Sequence, residues 1–193
     1  MGNHWRLAAV LNGYAEGIYS MSPEPAPTSQ THGALLVDYP VLLRAIRVSD
    51  PDAVPRLPEI LRRAQTLGSV FVSRAYGAWY DVDEATSAFS DGFDPVYVPP
   101  AGPGNVPTTS ALIADGLSLL KAGRIEALAL SGDDRLLPLV AAAHAAGMPV
   151  ALIAHACQPD GPCIKLADLA EPAAAFARTL SRAERYRRPT SAA

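Results

Sequence analysis

Residues 127–139, ALALSGDDRLLPL, decide the fold. Ala127 to Leu130 are small or apolar in an unbroken row, the pattern of a short strand buried on both faces. Ser131 and Gly132 turn the chain. Asp133 and Asp134 then stand at the start of a helix whose apolar side is Leu136, Leu137, Leu139 and Val140. Carboxylates there sit in the positive end of the helix dipole, and one of them caps an otherwise orphan N–H. The second acid has no such routine task. A strand–SGD–helix junction belongs to the carboxyl edge of an open α/β sheet, where such sheets bind ligands.

The same alternation extends outward over most of the chain. Residues 34–37 (ALLV) form a first strand ending at Asp38. Residues 41–47 form a short helix after Pro40. Residues 55–67 form a clearer one, with Ile60, Leu61, Ala64 and Leu67 on one face and Gly68 as its stop. Residues 69–75 (SVFVSRA) are a second strand, rich in β-branched and aromatic side chains. A short helix over 82–89 and a third strand over 95–98 follow. After a proline-rich loop, Thr108 or Thr109 caps a helix over 110–122 whose apolar face is Leu112, Ile113, Leu117 and Leu120. The fourth strand is 127–130, and 150–153, after the stop at Gly147, is the fifth. Residues 166–185 are expected to form one or two helices separated at Pro172. The pattern predicts an α/β fold, a Rossmann-like three-layer α/β/α sandwich with a parallel five-stranded sheet. With strand order 3-2-1-4-5, Asp38 and the Asp133–Asp134 pair converge at the switch point between strands one and four.

Composition narrows the class. The 193 residues suffice for one domain with a full core, and 49% hydrophobic against 18% charged residues describes a globular chain. A net charge of −3 argues against holding nucleic acid by bulk positive charge. Lys121 and Lys165 are the two lysines among 16 basic residues, a skew that goes with a GC-rich genome and lowers the weight of any single arginine. Cys157 and Cys163 are too few for a disulfide framework. No apolar run reaches membrane-spanning length and no secretory leader is evident, so a cytoplasmic location is expected. Residues 1–32 are expected to be a flexible extension ending in the linker MSPEPAPT, with Met21 as an alternative start. Residues 33–175 form the domain, and 176–193 a basic helix end and tail carrying Arg178, Arg182, Arg185, Arg187 and Arg188.

Several carboxylates in one cleft raise each other's pKa, and a divalent cation resolves the conflict. Oxygen ligands suit Mg²⁺ or Mn²⁺, which can activate water against a phosphodiester. Each acid also has a plainer role. Asp38 can cap the next turn, Asp133 and Asp134 can cap and favour a helix start, and Asp115 can be a half-exposed acid or a partner of Arg135. Tyr76 and Trp79 can stack on bases or simply pack. His155, Cys157 and Cys163 form an incomplete metal set and read as ordinary residues.

Four segments carry a resemblance: ALLVD at 34–38, RAYGAW at 74–79, SALIADGLSLLKAGRIEALALSGDDRLLPLVAAAHAAGMPVALI at 110–153, and LADLA at 166–170. Together they resemble the NYN domain family, a PIN-like ribonuclease fold found in many bacterial proteins, over roughly residues 33–175. The resemblance implies a metal-dependent endoribonuclease that hydrolyses RNA phosphodiesters. Asp38, Asp115 and Asp133 would be its catalytic acids, and these with Asp134 would hold Mg²⁺ or Mn²⁺. Arg135, Arg74 and Trp79 would contact RNA, single-stranded or structured. No membrane partner is expected, and self-association is left open.

The chain departs from the family at specific positions. Val41 stands where the family has Asn, and Thr109 and Ser118 where it has acidic or polar residues. In the family's SGDSDF motif, Asp134, Arg135 and Leu136 replace the last three residues. Two acids are missing and one position has reversed its charge. The alternative is therefore a degenerate NYN-like module that binds RNA or a protein. A phosphatase or receiver domain fits less well, because Asp38-Tyr39-Pro40 lacks a D-x-D pair and Val98-Pro99-Pro100 lacks an acid after the third strand.

Overall fold

The computed structural model describes residues 32–100 and 107–181. Its spine is strand β1 (His32–Asp38), buried from Gly33 onward, with an unbroken apolar run over residues 34–37. Such a run requires cover on both faces. β1 pairs in parallel with β3 (Ser69–Gly77) on one side and β5 (Ala127–Ser131) on the other. β4 (Asp94–Tyr97) continues the sheet beyond β3, while β6 (Val150–His155) and β7 (Leu169–Pro172) continue it beyond β5. The order is β4-β3-β1-β5-β6-β7, parallel throughout. This is the expected 3-2-1-4-5 order with one strand added, so the sheet has six strands rather than five.

The added strand lies where helices are expected over 166–185. β7 pairs Leu169, Ala170 and Glu171 with Ala151, Leu152 and Ile153. A 3-10 turn (Ala173–Phe176) follows, and β8 (Ala177–Thr179) runs antiparallel to β2 (Ala53–Pro55) in a separate two-stranded sheet. Pairing with the exposed edge of β6 overrides the helical tendency of this alanine-rich segment. The described residues of the expected tail thus include a paired strand, with Phe176 and Leu180 buried. The expectations for residues 1–31 and 182–193 lie outside the described residues.

Helices cover both faces. On one side α1 (Tyr39–Arg47) and α2 (Leu57–Ala64) bury Leu42, Ile46, Leu57 and Ile60 against Leu35, Val37, Ala129 and Ile153. The short α3 (Val82–Ser90) adds Ala88 to the same core. On the other side α4 (Pro107–Ala122), α5 (Leu137–Ala145) and α6 (Pro162–Leu166) meet Ala34, Leu36, Leu128, Leu130 and Leu152. Alternation along each strand sends neighbouring residues into opposite cores, which is why residues 34–37 of β1 are apolar at every step. Gly116 lets α4 approach α5 closely: a Cβ there would stand 2.5 Å from Leu139 Cδ2. Among the described residues no helix is long and apolar enough to cross a membrane.

The chain leaves β1 toward β3 and β4, then returns through α4 to β5 on the other side. The switch point therefore lies between the carboxyl ends of β1 and β5, at Asp38 and at Ser131-Gly132-Asp133. Two non-glycine residues with positive φ, Trp79 (44°) and Ala154 (52°), lie at this same edge of the sheet.

Candidate acidic site

Asp38 ends β1 and starts α1. Its Oδ1 accepts the Val41 N–H at 3.3 Å, and Pro40 at the head of the helix needs no such partner. The carboxyl group is fully buried. Thr108 donates to Oδ1 at 3.1 Å and Thr109 to Oδ2 at 2.5 Å. Neither threonine acts as the expected cap. Both lie in the first turn of α4 and reach across to the strand. Burial pushes the Asp38 pKa up. The hydrogen bonds from Thr109, Val41 and Thr108 oppose the rise, and the nearby Asp133 charge adds to it.

Asp133 stands at the end of β5. Its carboxylate accepts the Arg135 N–H at 3.1 Å and so caps the 3-10 turn Asp134–Leu136 that precedes α5. The Arg135 guanidinium folds back over the same group, with Nε 2.9 and 3.0 Å from the two oxygens and Nη2 on Oδ2. These contacts hold the Asp133 pKa below the usual carboxylate value, against the effect of burial, and the Arg44 charge adds to them. The Arg135 charge also acts on Asp38. Asp38, Asp133, Arg135 and Arg44 thus form one electrostatic group at the switch point.

Asp115 occupies a different place. It lies further along α4, on the same side of the sheet as the Asp38 carboxyl. Arg74 of β3 contacts its Oδ2 at 2.5 Å, and the Tyr76 hydroxyl donates to the same oxygen. Its partner is therefore Arg74, not Arg135. Burial pushes the Tyr76 pKa far up, followed in weight by the Asp115 contact, so the phenol stays protonated and donates. Arg74 and Tyr76 point to α4 together because they are two residues apart on one strand.

Asp134 turns away from all of these. Its Oδ2 accepts the Gln158 N–H at 3.0 Å, and its ligand oxygen lies within 4.8 Å of the Cys157 and Cys163 sulfurs. Sequence spacing hid this grouping, because Asp134 precedes β6 and the cysteines follow it. Trp79 donates its indole N–H to the Val96 carbonyl at 3.0 Å, and its ring lies 4.9 Å from that of Tyr39. Its indole N–H is thus engaged within the fold. A groove of about 580 Å³ opens on the α1–α2–α3 side between Tyr39, Glu59, Ser87, Asp91 and Arg178, and none of the four acids lines it.

No family model matches the sequence, and no curated protein matches it. Among solved structures, the chain is similar to a protein of unknown function from Vibrio parahaemolyticus. The TM-score is 0.61 at 17% identity, over 76% of this chain and 95% of that one. A likeness at that identity establishes the α/β fold. UDP-GlcNAc 2-epimerase from Neisseria meningitidis, crystallised with UDP-GlcNAc, matches over 64% of this chain and 31% of its own at 14% identity. Its TM-score of 0.37 supports no functional argument.

Proposed function

We propose that this chain is an NYN/PIN-like module whose acidic crevice is neutralised from within, and that it works by holding RNA rather than by cutting it. The observation that carries the reading is Arg135 on both oxygens of Asp133. A metal-dependent nuclease needs carboxylate oxygens free to meet a dication. Here Asp38 has both oxygens engaged by Thr108, Thr109 and Val41, and Asp115 is held by Arg74 and Tyr76. Asp134 faces two thiols. As arranged, these donors do not fit Mg²⁺ or Mn²⁺.

The same neutralisation makes the crevice tolerable to a polyanion. Arg44 is exposed, and the Arg135 side chain is 39% exposed. A phosphate can approach that rim without meeting an uncompensated carboxylate at Asp133. With so few cations the expected affinity is modest and its salt dependence shallow.

The test is fluorescence anisotropy of a labelled single-stranded RNA with full-length protein, in chelator and in Mn²⁺, with product analysis in parallel. Binding that persists in chelator, weakens in Arg44→Ala and yields no cleavage products is expected. Mn²⁺-dependent cleavage abolished by Asp133→Asn would replace this reading with the endoribonuclease. Absence of RNA binding in both conditions would end it.

A further inference from the structure

We propose that Asp134, Cys157 and Cys163 form a binding site for one zinc-class divalent ion, separate from the acidic crevice. Three elements supply the ligands. Asp134 opens the turn after β5, Cys157 lies in the loop after β6, and Cys163 lies in the first turn of α6. One carboxylate oxygen and both sulfurs lie within 4.8 Å of one another. A tetrahedral ion with zinc–sulfur bonds of about 2.3 Å keeps its ligand atoms roughly 3.5–4 Å apart, so the set must close by about an ångström at most.

An independent observation points to a missing partner. Asp134 Oδ1 is buried and accepts no hydrogen bond among the described residues. Leaving a buried carboxylate oxygen unsatisfied is unfavourable unless a cation or donor reaches it. The nearby backbone is shaped around that oxygen: a Cβ on Gly161 would stand 2.6 Å from it. The other oxygen is fixed by the Gln158 N–H, which sets the orientation of the carboxylate.

The donor set selects the ion. Two sulfurs exclude Mg²⁺ and Ca²⁺, and two sulfurs with one carboxylate suit Zn²⁺ or its substitute Co²⁺. Three protein ligands leave one position for water or an outside ligand, the pattern of an open zinc site. Without the ion both thiols stay protonated, Cys163 pushed up to about 11 by burial and then by Asp134. Binding therefore transfers two thiol protons to solvent as two metal–sulfur bonds form. The His155 ring takes no part through Nδ1, which accepts the Cys157 N–H at 3.2 Å.

The experiment is Co²⁺ titration of the reduced full-length protein, followed by Zn²⁺ displacement. One Co²⁺ per chain with a thiolate-to-cobalt charge-transfer band is expected, bleached by Zn²⁺. Cys157→Ser should weaken the band and lower affinity at least about tenfold. Asp134→Asn should keep the band but lower affinity. Melting curves of the metal-free variants verify that they fold, since Cys163 is fully buried and Cys163→Ser is the variant most exposed to misfolding. Asp38→Asn should leave Co²⁺ uptake unchanged, which separates this site from the crevice. The proposal is overturned if the reduced protein shows no thiolate band. It is equally overturned if Cys157→Ser binds as the parent does, or if thiol titration of the protein before any reductant is added shows the two cysteines already joined.

Discussion

The Arg135 side chain folds back onto Asp133, two residues before it, and its Nε meets both carboxylate oxygens at 2.9 and 3.0 Å. The resemblance implies an acid at position 135. Arginine there supplies intramolecularly the positive charge that a metal ion would otherwise bring. At about 4 Å and an effective dielectric near 20, one such charge changes the local energy by roughly 4 kcal/mol. That is large against the binding of a hydrated dication at two or three carboxylates.

Asp38 is expected to be a stability liability. Its carboxyl is fully buried with hydroxyl and N–H partners only, and its pKa is raised by burial. A raised acid pKa means that the folded state holds its proton longer than the unfolded chain. Stability therefore falls as pH rises from the unfolded value near 3.8 through the folded value, and the whole cost is present above it. Asp38→Asn keeps an N-cap acceptor and removes the charge. It should raise the melting temperature at pH 7, by about 2–4 °C for each kcal/mol recovered in a chain of this size. The gain should vanish below pH 3.8. A lower melting temperature at pH 7 would mean that the ionised form is well solvated by its three partners.

Asp115 is expected to matter for the fold rather than for a metal. It accepts from Arg74 and from the buried Tyr76, so Asp115→Ala leaves a guanidinium and a phenol without their acceptor. A loss of about 2 kcal/mol is expected, with a melting temperature lower by roughly 4–8 °C. Asp115→Asn should lose less, because its oxygen can still accept from Tyr76. Equal stability of Asp115→Ala and the parent would show the triad to be an incidental surface contact.

The order of the central strands was legible because burial on both faces leaves a mark in sequence. ALLV and ALAL have no polar alternation, and each ends at an acid or a turn. Strands β2, β7 and β8 left no such mark. LAEP at β7 contains a proline and a glutamate, and β2 (AVP) and β8 (ART) are three residues each, below the length at which periodicity can be counted. Pairing, not propensity, makes them strands. The placement of Asp38 and Asp133 at the ends of two neighbouring strands was legible too, but their partners were not. Thr108 and Thr109 have the sequence signature of helix caps, and only the crossing of α4 over β1 turns them onto Asp38. Likewise, nothing in SGDD tells which way the second Asp faces. Asp133 turns to its own neighbour Arg135, while Asp134 turns to a loop that follows the next strand.

The measurement that bears most directly on the neutralised crevice is calorimetric titration of Mn²⁺ into the parent protein and into the double variant Thr109→Asp with Arg135→Asp. Thr109 donates to Asp38 at 2.5 Å, so an acid there would stand beside the Asp38 carboxylate, and the second change releases Asp133 from its guanidinium. The parent should show no saturable uptake at the crevice, and the double variant should bind Mn²⁺ and gain Mn²⁺-dependent cleavage of single-stranded RNA. Micromolar Mn²⁺ binding by the parent, lost in Asp133→Asn and no tighter in the double variant, would contradict the neutralised crevice.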